Sequence, residues 1–135
     1  MRSRAAVHGL PAGRFPRDWI PEENVRLALL HRLARLCDPA ELDGFADELA
    51  DRFGEPPPEA AALLAQARLR LVAGARGIRT LEVGPKAVAL SFREDLGPSL
   101  DRLAASLGGE ARRERVILDP GGMPLAQLLE ERLPL

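Results

Sequence analysis

The run from Asp38 to Gly54, DPAELDGFADELADRFG, constrains the chain most, because both ends of a helix are written into it. Asp38 is placed to accept backbone N–H bonds as N-cap. Pro39 falls at N1, where its missing donor costs nothing. Gly54 follows at C′, where a left-handed residue closes the last turn, and Pro56, Pro57 and Pro58 forbid continuation. At 100° per residue, Leu42, Phe45, Ala46, Leu49 and Phe53 share one narrow arc, and Glu41, Glu48, Asp51 and Arg52 fall opposite. The helix therefore has a core face and a charged display face.

Around that helix the rest of the chain falls into order. Pro11, Gly13 and Pro16 interrupt a stretch rich in arginine and small residues, which reads as an irregular or extended basic arm over residues 1–14, mobile up to Gly13. Phe15, Trp19 and Ile20 are the groups expected to pin it to the body. Pro21 then opens a helix to about Cys37, with Glu22 and Glu23 opposing the macrodipole in its first turn. Val25, Leu29, Leu33 and Leu36 make one stripe on it, and Leu27, Leu30 and Ala34 a second. A helix apolar on two sides is expected to be central, with a thin polar strip of His31, Arg32 and Arg35 reaching solvent. A third helix runs from Pro57 or Pro58 to Gly77 and buries Leu64, Ala67, Leu71 and Ala75. Three helices with short joints predict a small antiparallel bundle.

The periodicity changes at Ile78. IRTLEV is a strand, Gly84-Pro85-Lys86 a turn, and AVALSF alternates with period two, so that Val88, Leu90 and Phe92 share a face. Pro98 to Leu107 reads as a short helix stopped by Gly108-Gly109, and RERVILD, ending at Asp119, as a third strand. Pro120-Gly121-Gly122 turns into a last helix, MPLAQLLEERL. The fold class is α+β, a three-helix half followed by a small, mainly antiparallel sheet (hairpin plus one later strand) backed by helices. With 135 residues, 46% of them hydrophobic and 29% charged, residues 15–135 are expected to form a single domain.

Function classes are narrowed mainly by what is missing. A net charge of −1 supplies no global field for nucleic acid or anionic membrane. No apolar run reaches the length of a membrane span, and the first residues lack the apolar stretch of a secretory signal. The single cysteine, Cys37, cannot form an intramolecular disulfide and fits the reducing cytoplasm; it is expected to be an inert, buried or half-buried thiol. There is no GxxxxGK[ST] phosphate loop, and the glycines of GGEAR and DPGGMP lack the strand-to-helix setting of a dinucleotide site. His8, His31 and Cys37 are too few and too scattered for zinc. His31 and Cys37, six residues apart on one helix, do not make a nucleophile pair. Glu22-Glu23 and Glu130-Glu131 are adjacent helix residues that diverge by 100°, so they are read as solvated termini. No catalytic, cofactor or metal residue is assigned, and the chain is not expected to be an enzyme. Arg68, Arg70, Arg76 and Arg79 form an arginine ridge that reads either as a solvated face or as a phosphate-contacting patch of a small nucleic-acid-binding module.

With these elements placed, WIPEENVRLALLHRLA, ELADRFGEPP, LLAQARLRLVAGARGIRTLEV and AVALSF together resemble the C-terminal domain of the bacterial transcription-repair coupling factor over about residues 15–118. The most specific pieces are Ile20, Pro21, Asn24, Arg26 and Leu27, the run Glu48 to Gly54, and the segment Ala67 to Arg79. The resemblance implies a non-catalytic regulatory domain in DNA repair. In the family, the parent protein is a large ATP-dependent DNA translocase that removes stalled RNA polymerase and recruits nucleotide excision repair. Its C-terminal domain packs on a UvrB-like module and masks the surface that would bind UvrA, an autoinhibitory clamp. The clamp contacts map onto Glu48, Asp51 and Arg52 of this chain. Periodicity brings the same three together at i, i+3 and i+4, a spacing that serves equally well for an intrahelical Glu48–Arg52 salt bridge. Because the upstream modules are not in this sequence, two arrangements are expected. An excised fragment would dock on the UvrB-like module in cis, and a free-standing relative would bind a UvrB-like protein in trans. UvrA and RNA polymerase would be indirect partners, and no membrane is involved.

Overall fold

The computed structural model describes residues 5–93 and 100–133. The chain divides into two compact units, Pro11–Arg68 and Met1–Leu10 with Leu69–Leu135. The first holds α1 (Glu23–Arg35), α2 (Pro39–Phe53) and most of α3 (Pro58–Ala75). The ends of α2 are where the local chemistry puts them. The Asp38 carboxylate accepts from the Ala40 N–H at 2.8 Å, and the Gly54 N–H donates to the Ala50 carbonyl at 2.9 Å. Gly54 has φ 89° and ψ −174°, a region that only glycine visits without strain. Leu42, Phe45 and Leu49 are buried, while Ala46 and Phe53 are half-buried.

The residues before α1 are bound into the same unit. Phe15 and Ile20 are buried, and the Trp19 ring lies 5.9 Å from that of Phe15 and 5.8 Å from that of Phe53. Arg14 pairs with Glu59, and the Gln66 side chain donates to the Pro11 carbonyl. Gly13 passes so close to α3 that a Cβ there would lie 2.3 Å from the Leu63 nitrogen, so no other residue fits without moving backbone. Arg26 donates to the carbonyls of Ile20 and Pro21, fixing the approach to α1.

The expectation that α1 is central does not hold. Only Leu29 is buried on it, and Leu27 and Leu30 are 51% and 37% exposed. Two apolar stripes are a necessary signature of a central helix, but neither stripe guarantees a neighbour to bury it. On α3, four residues in a row, Leu71, Val72, Ala73 and Gly74, are buried, so its C-terminal turn is covered on every side. Cys37 is exposed rather than buried or half-buried, because it falls in the joint between α1 and α2.

The second unit is a five-stranded sheet of order β1-β2-β3-β5-β4, built from β1 (Ala6–His8), β2 (Ile78–Val83), β3 (Val88–Phe92), β4 (Glu110–Arg112) and β5 (Arg115–Leu118). The predicted hairpin is β2–β3, with Leu81 opposite Leu90. The later strand pairs antiparallel with β3, with Leu90 opposite Val116. Two strands come from stretches read as arm or turn. The first, β1, lies parallel to β2 with Val7 opposite Leu81, and the second, β4, forms a tight hairpin with β5. Arg113 and Glu114 make the turn of that hairpin, so the strand expected over RERVILD begins at Arg115. One face of the sheet carries Ile78, Leu81, Val88, Leu90, Phe92, Val116 and Leu118 into the core. That core also takes Leu69, Val72 and Ala73 of α3, Leu103, Ala104 and Leu107 of α4 (Leu100–Leu107), and Leu128 and Leu129 of α5 (Leu125–Arg132). The predicted start of α4 at Pro98 lies outside the described residues. No helix among the described residues is long and apolar enough to cross a membrane.

Candidate functional site

The display face of α2 is set by the caps and the buried stripe. With Leu42, Phe45 and Leu49 inward, Glu48 can only project to the side and Asp51 to solvent. At the start of the helix the Glu41 carboxylate reaches back to accept from the Cys37 N–H at 3.1 Å, beside the Asp38 cap. Farther along, Glu48 meets a residue that sequence spacing does not bring to it. Arg32 of α1 donates from both terminal nitrogens, Nη1 to Oε2 at 2.7 Å and Nη2 to Oε1 at 3.0 Å. This is the bidentate geometry that makes an arginine–carboxylate pair directional. Arg52 adds the expected i,i+4 contact at 3.5 Å. Both arginines also lie over aromatic rings, Arg32 above Phe45 at 5.1 Å and Arg52 above Phe53 at 4.9 Å. Glu48 thus sits between two guanidiniums held in place from below. Asp51 is exposed, and its carboxylate has no hydrogen bond or ion pair among the described residues.

The hydrogen bonds from Arg32 hold the Glu48 carboxyl below the ordinary glutamate range, against an opposing effect of burial, with the charges of Arg32 and Arg52 adding. The same contact raises the Arg32 guanidinium. A depressed carboxyl pKa stabilises the fold above its unfolded value and stops doing so as pH falls through the folded value. The contribution is small, because both side chains are more than a third exposed and solvent screens the pair. An NMR titration of the Glu48 carboxyl is expected to show a midpoint below ordinary glutamate that moves back up in Arg32→Ala. Arg52→Ala is expected to move it less, its contact being longer and monodentate.

The four arginines of the ridge have separate surroundings. Arg68 pairs with Asp43 at 2.5 Å, and Arg76 donates to the Leu129 carbonyl at 3.0 Å. Arg70 is half-buried on α3, and Arg79 is exposed on β2. His31 is exposed, and no group of three metal-ligating side chains occurs among the described residues. The residue that sequence reading misses at the α2 face is Arg32. It appears there only as part of a polar strip on α1, since nothing local ties it to a carboxylate sixteen residues away.

The profile of the TRCF domain family matches residues 11–103. The transcription-repair-coupling factor of Escherichia coli (strain K12) is 43% identical over 80 residues, which are 59% of this chain and 7% of that protein. The factor of Rickettsia bellii is 30% identical over 78 residues, 58% of this chain and 7% of the relative. That of Mycobacterium bovis is 41% identical over 64 residues, 47% of this chain and 5% of the relative. The chain therefore spans less than a tenth of the length of these relatives. A crystal structure of the C-terminal domain of a transcription-repair coupling factor superposes with a TM-score of 0.82 at 16% identity, covering 98% of this chain and 92% of that one. The chain belongs to the TRCF domain family, and its fold is that of a transcription-repair coupling factor's C-terminal domain.

Proposed function

We propose that this chain is a non-catalytic regulatory domain in transcription-coupled repair, acting by reversible docking of the α2 face on a UvrB-like module and so masking the surface through which that module binds UvrA. The observation that carries the reading is the state of the three display residues. Asp51 is an exposed carboxylate without a partner among the described residues, while Glu48 and Arg52 are oriented beside it by Arg32 and by two aromatic rings. Charges already held in one geometry lose little side-chain entropy on docking, which favours their use as a recognition surface. Charged rims give register and association rate more than raw affinity, which suits a clamp that has to release. Glu48 engages a basic partner by sharing Oε1 or Oε2 with it, and Asp51 by direct pairing.

The test is binding of this chain to an isolated UvrB-like module, read by biolayer interferometry at low and at physiological salt. Wild type is expected to bind saturably, and Glu48→Arg and Asp51→Arg to weaken binding about tenfold or more, with circular dichroism unchanged. Equal binding by wild type and both variants would remove the α2 face from the interaction. The absence of binding at low salt would remove the docking reading itself.

A further inference from the structure

Charge is divided unequally between the two units. Residues 11–68 carry seven arginines against eleven Asp and Glu, whereas residues 1–10 with 69–135 carry twelve Arg and Lys against nine acids. Three of those cations line one groove. An open groove of about 420 Å³ is lined by Arg79, Ser91, Arg113, Glu114 and Arg115. Two of its three arginines get there through departures from regular backbone. In the β2–β3 ladder, Ile78 faces Phe92 and Thr80 faces Ser91, so Arg79 is the extra residue of a bulge, outside the pairing. A bulge turns a side chain away from the alternation that would otherwise govern it. Arg113 has φ 58° in the β4–β5 turn, and it is the one non-glycine residue with positive φ among the described residues. Glycine, asparagine or aspartate would occupy that position more cheaply. Local turn chemistry does not ask for arginine there, and a rule broken in that way at a concave site points to a ligand.

We propose that this groove binds the phosphate groups of a nucleic-acid backbone. Three guanidiniums face a single carboxylate in the lining, and Ser91 supplies a hydroxyl donor between them. Arg115 reaches Glu82 only at 3.7 Å, and no ion pair of Arg79 or Arg113 occurs among the described residues, so the cations keep donors available. Guanidinium forks match phosphate oxygens in pairs. No aromatic residue lines the groove, so bases have nothing to stack on and recognition is of phosphate, without sequence preference. The neighbouring row of the sheet, with Glu82 and Glu110, is acidic and limits the contact to the Arg113 end. Neither α2 nor its docking takes part in this site.

The experiment is fluorescence anisotropy of a short labelled DNA duplex titrated with the full chain, repeated across a salt series and with polyglutamate in place of DNA. Weak, saturable binding is expected, falling with salt at a log–log slope of about −2 to −3, as two or three phosphate contacts require. Arg113→Gly removes one guanidinium and relieves the left-handed backbone. It is therefore expected to keep or raise the melting temperature while reducing the salt slope by about 1. Arg79→Ala is expected to weaken binding likewise, and inorganic phosphate to compete. The proposal is overturned if wild type does not bind at low salt, or if both variants bind like wild type. It is also overturned if polyglutamate binds as tightly as DNA with the same sensitivity to the variants, since the groove would then serve an acidic protein segment.

Discussion

Leu81→Ala is expected to lower stability by about 3 kcal/mol, a drop of about 10 °C in melting temperature. Leu81 is fully inaccessible at the centre of β2, opposite Leu90, and belongs to the core shared by the sheet, α3, α4 and α5. Sheet and helices close on it together, so little backbone is free to collapse into the space left by the lost isobutyl group. Thermal melts by far-ultraviolet circular dichroism measure the effect directly. A loss below about 1 kcal/mol would show that the sheet unit repacks freely around position 81.

Leu49→Ala is expected to cost a similar amount, about 2–4 kcal/mol, in the helical unit. Leu49 is fully inaccessible on α2, in the buried stripe with Leu42 and Phe45. Its neighbour Glu48 owes its position to that stripe, so the variant is expected to loosen the display face as well. The chain offers its own probe, since Trp19 is the only tryptophan and packs on Phe15 and Phe53 within the same unit. Its fluorescence transition is expected to move with Leu49→Ala. In wild type it is expected to coincide with the circular dichroism transition, because α3 is one uninterrupted helix whose last turns carry Leu69, Val72 and Ala73 into the core of the sheet unit. Separate transitions would mean that the two units unfold independently.

What the amino-acid order made legible follows the range of the forces involved. The bounds of α2 depend on Asp38, Pro39 and Gly54, each acting within four residues, and they were readable to the residue. The β2–β3 hairpin was legible for the same reason, from the strand residues of IRTLEV and the alternation of AVALSF on either side of a Gly-Pro-Lys turn. By contrast β1 and β4 are three residues each, too short for any periodicity, and exist because an already formed strand edge offers them backbone partners. The second stripe on α1 was legible as a pattern, but how far Leu27 and Leu30 are covered is a tertiary fact, and they stay 51% and 37% exposed. At the α2 face, Glu48, Asp51 and Arg52 follow from helical spacing. Arg32 follows only from how α1 and α2 run past each other. The groove at Arg113 was hidden for a different reason, because a strained turn and a bulge are departures from the regularities by which sequences are read.

The family match begins at residue 11, and β1 lies just before it. Those few residues shield β2, whose outer edge they pair through Ala6, Val7 and His8, while the Ala5 N–H donates to the Arg70 carbonyl at 3.1 Å. Trimming the protein to its recognisable family limits would bare a row of backbone donors and acceptors along β2, the strand that carries Ile78 and Leu81 into the core. An edge of that kind is a template on which a second copy can add its own strand. The segment that looked least structured is thus what keeps the sheet from recruiting a neighbour.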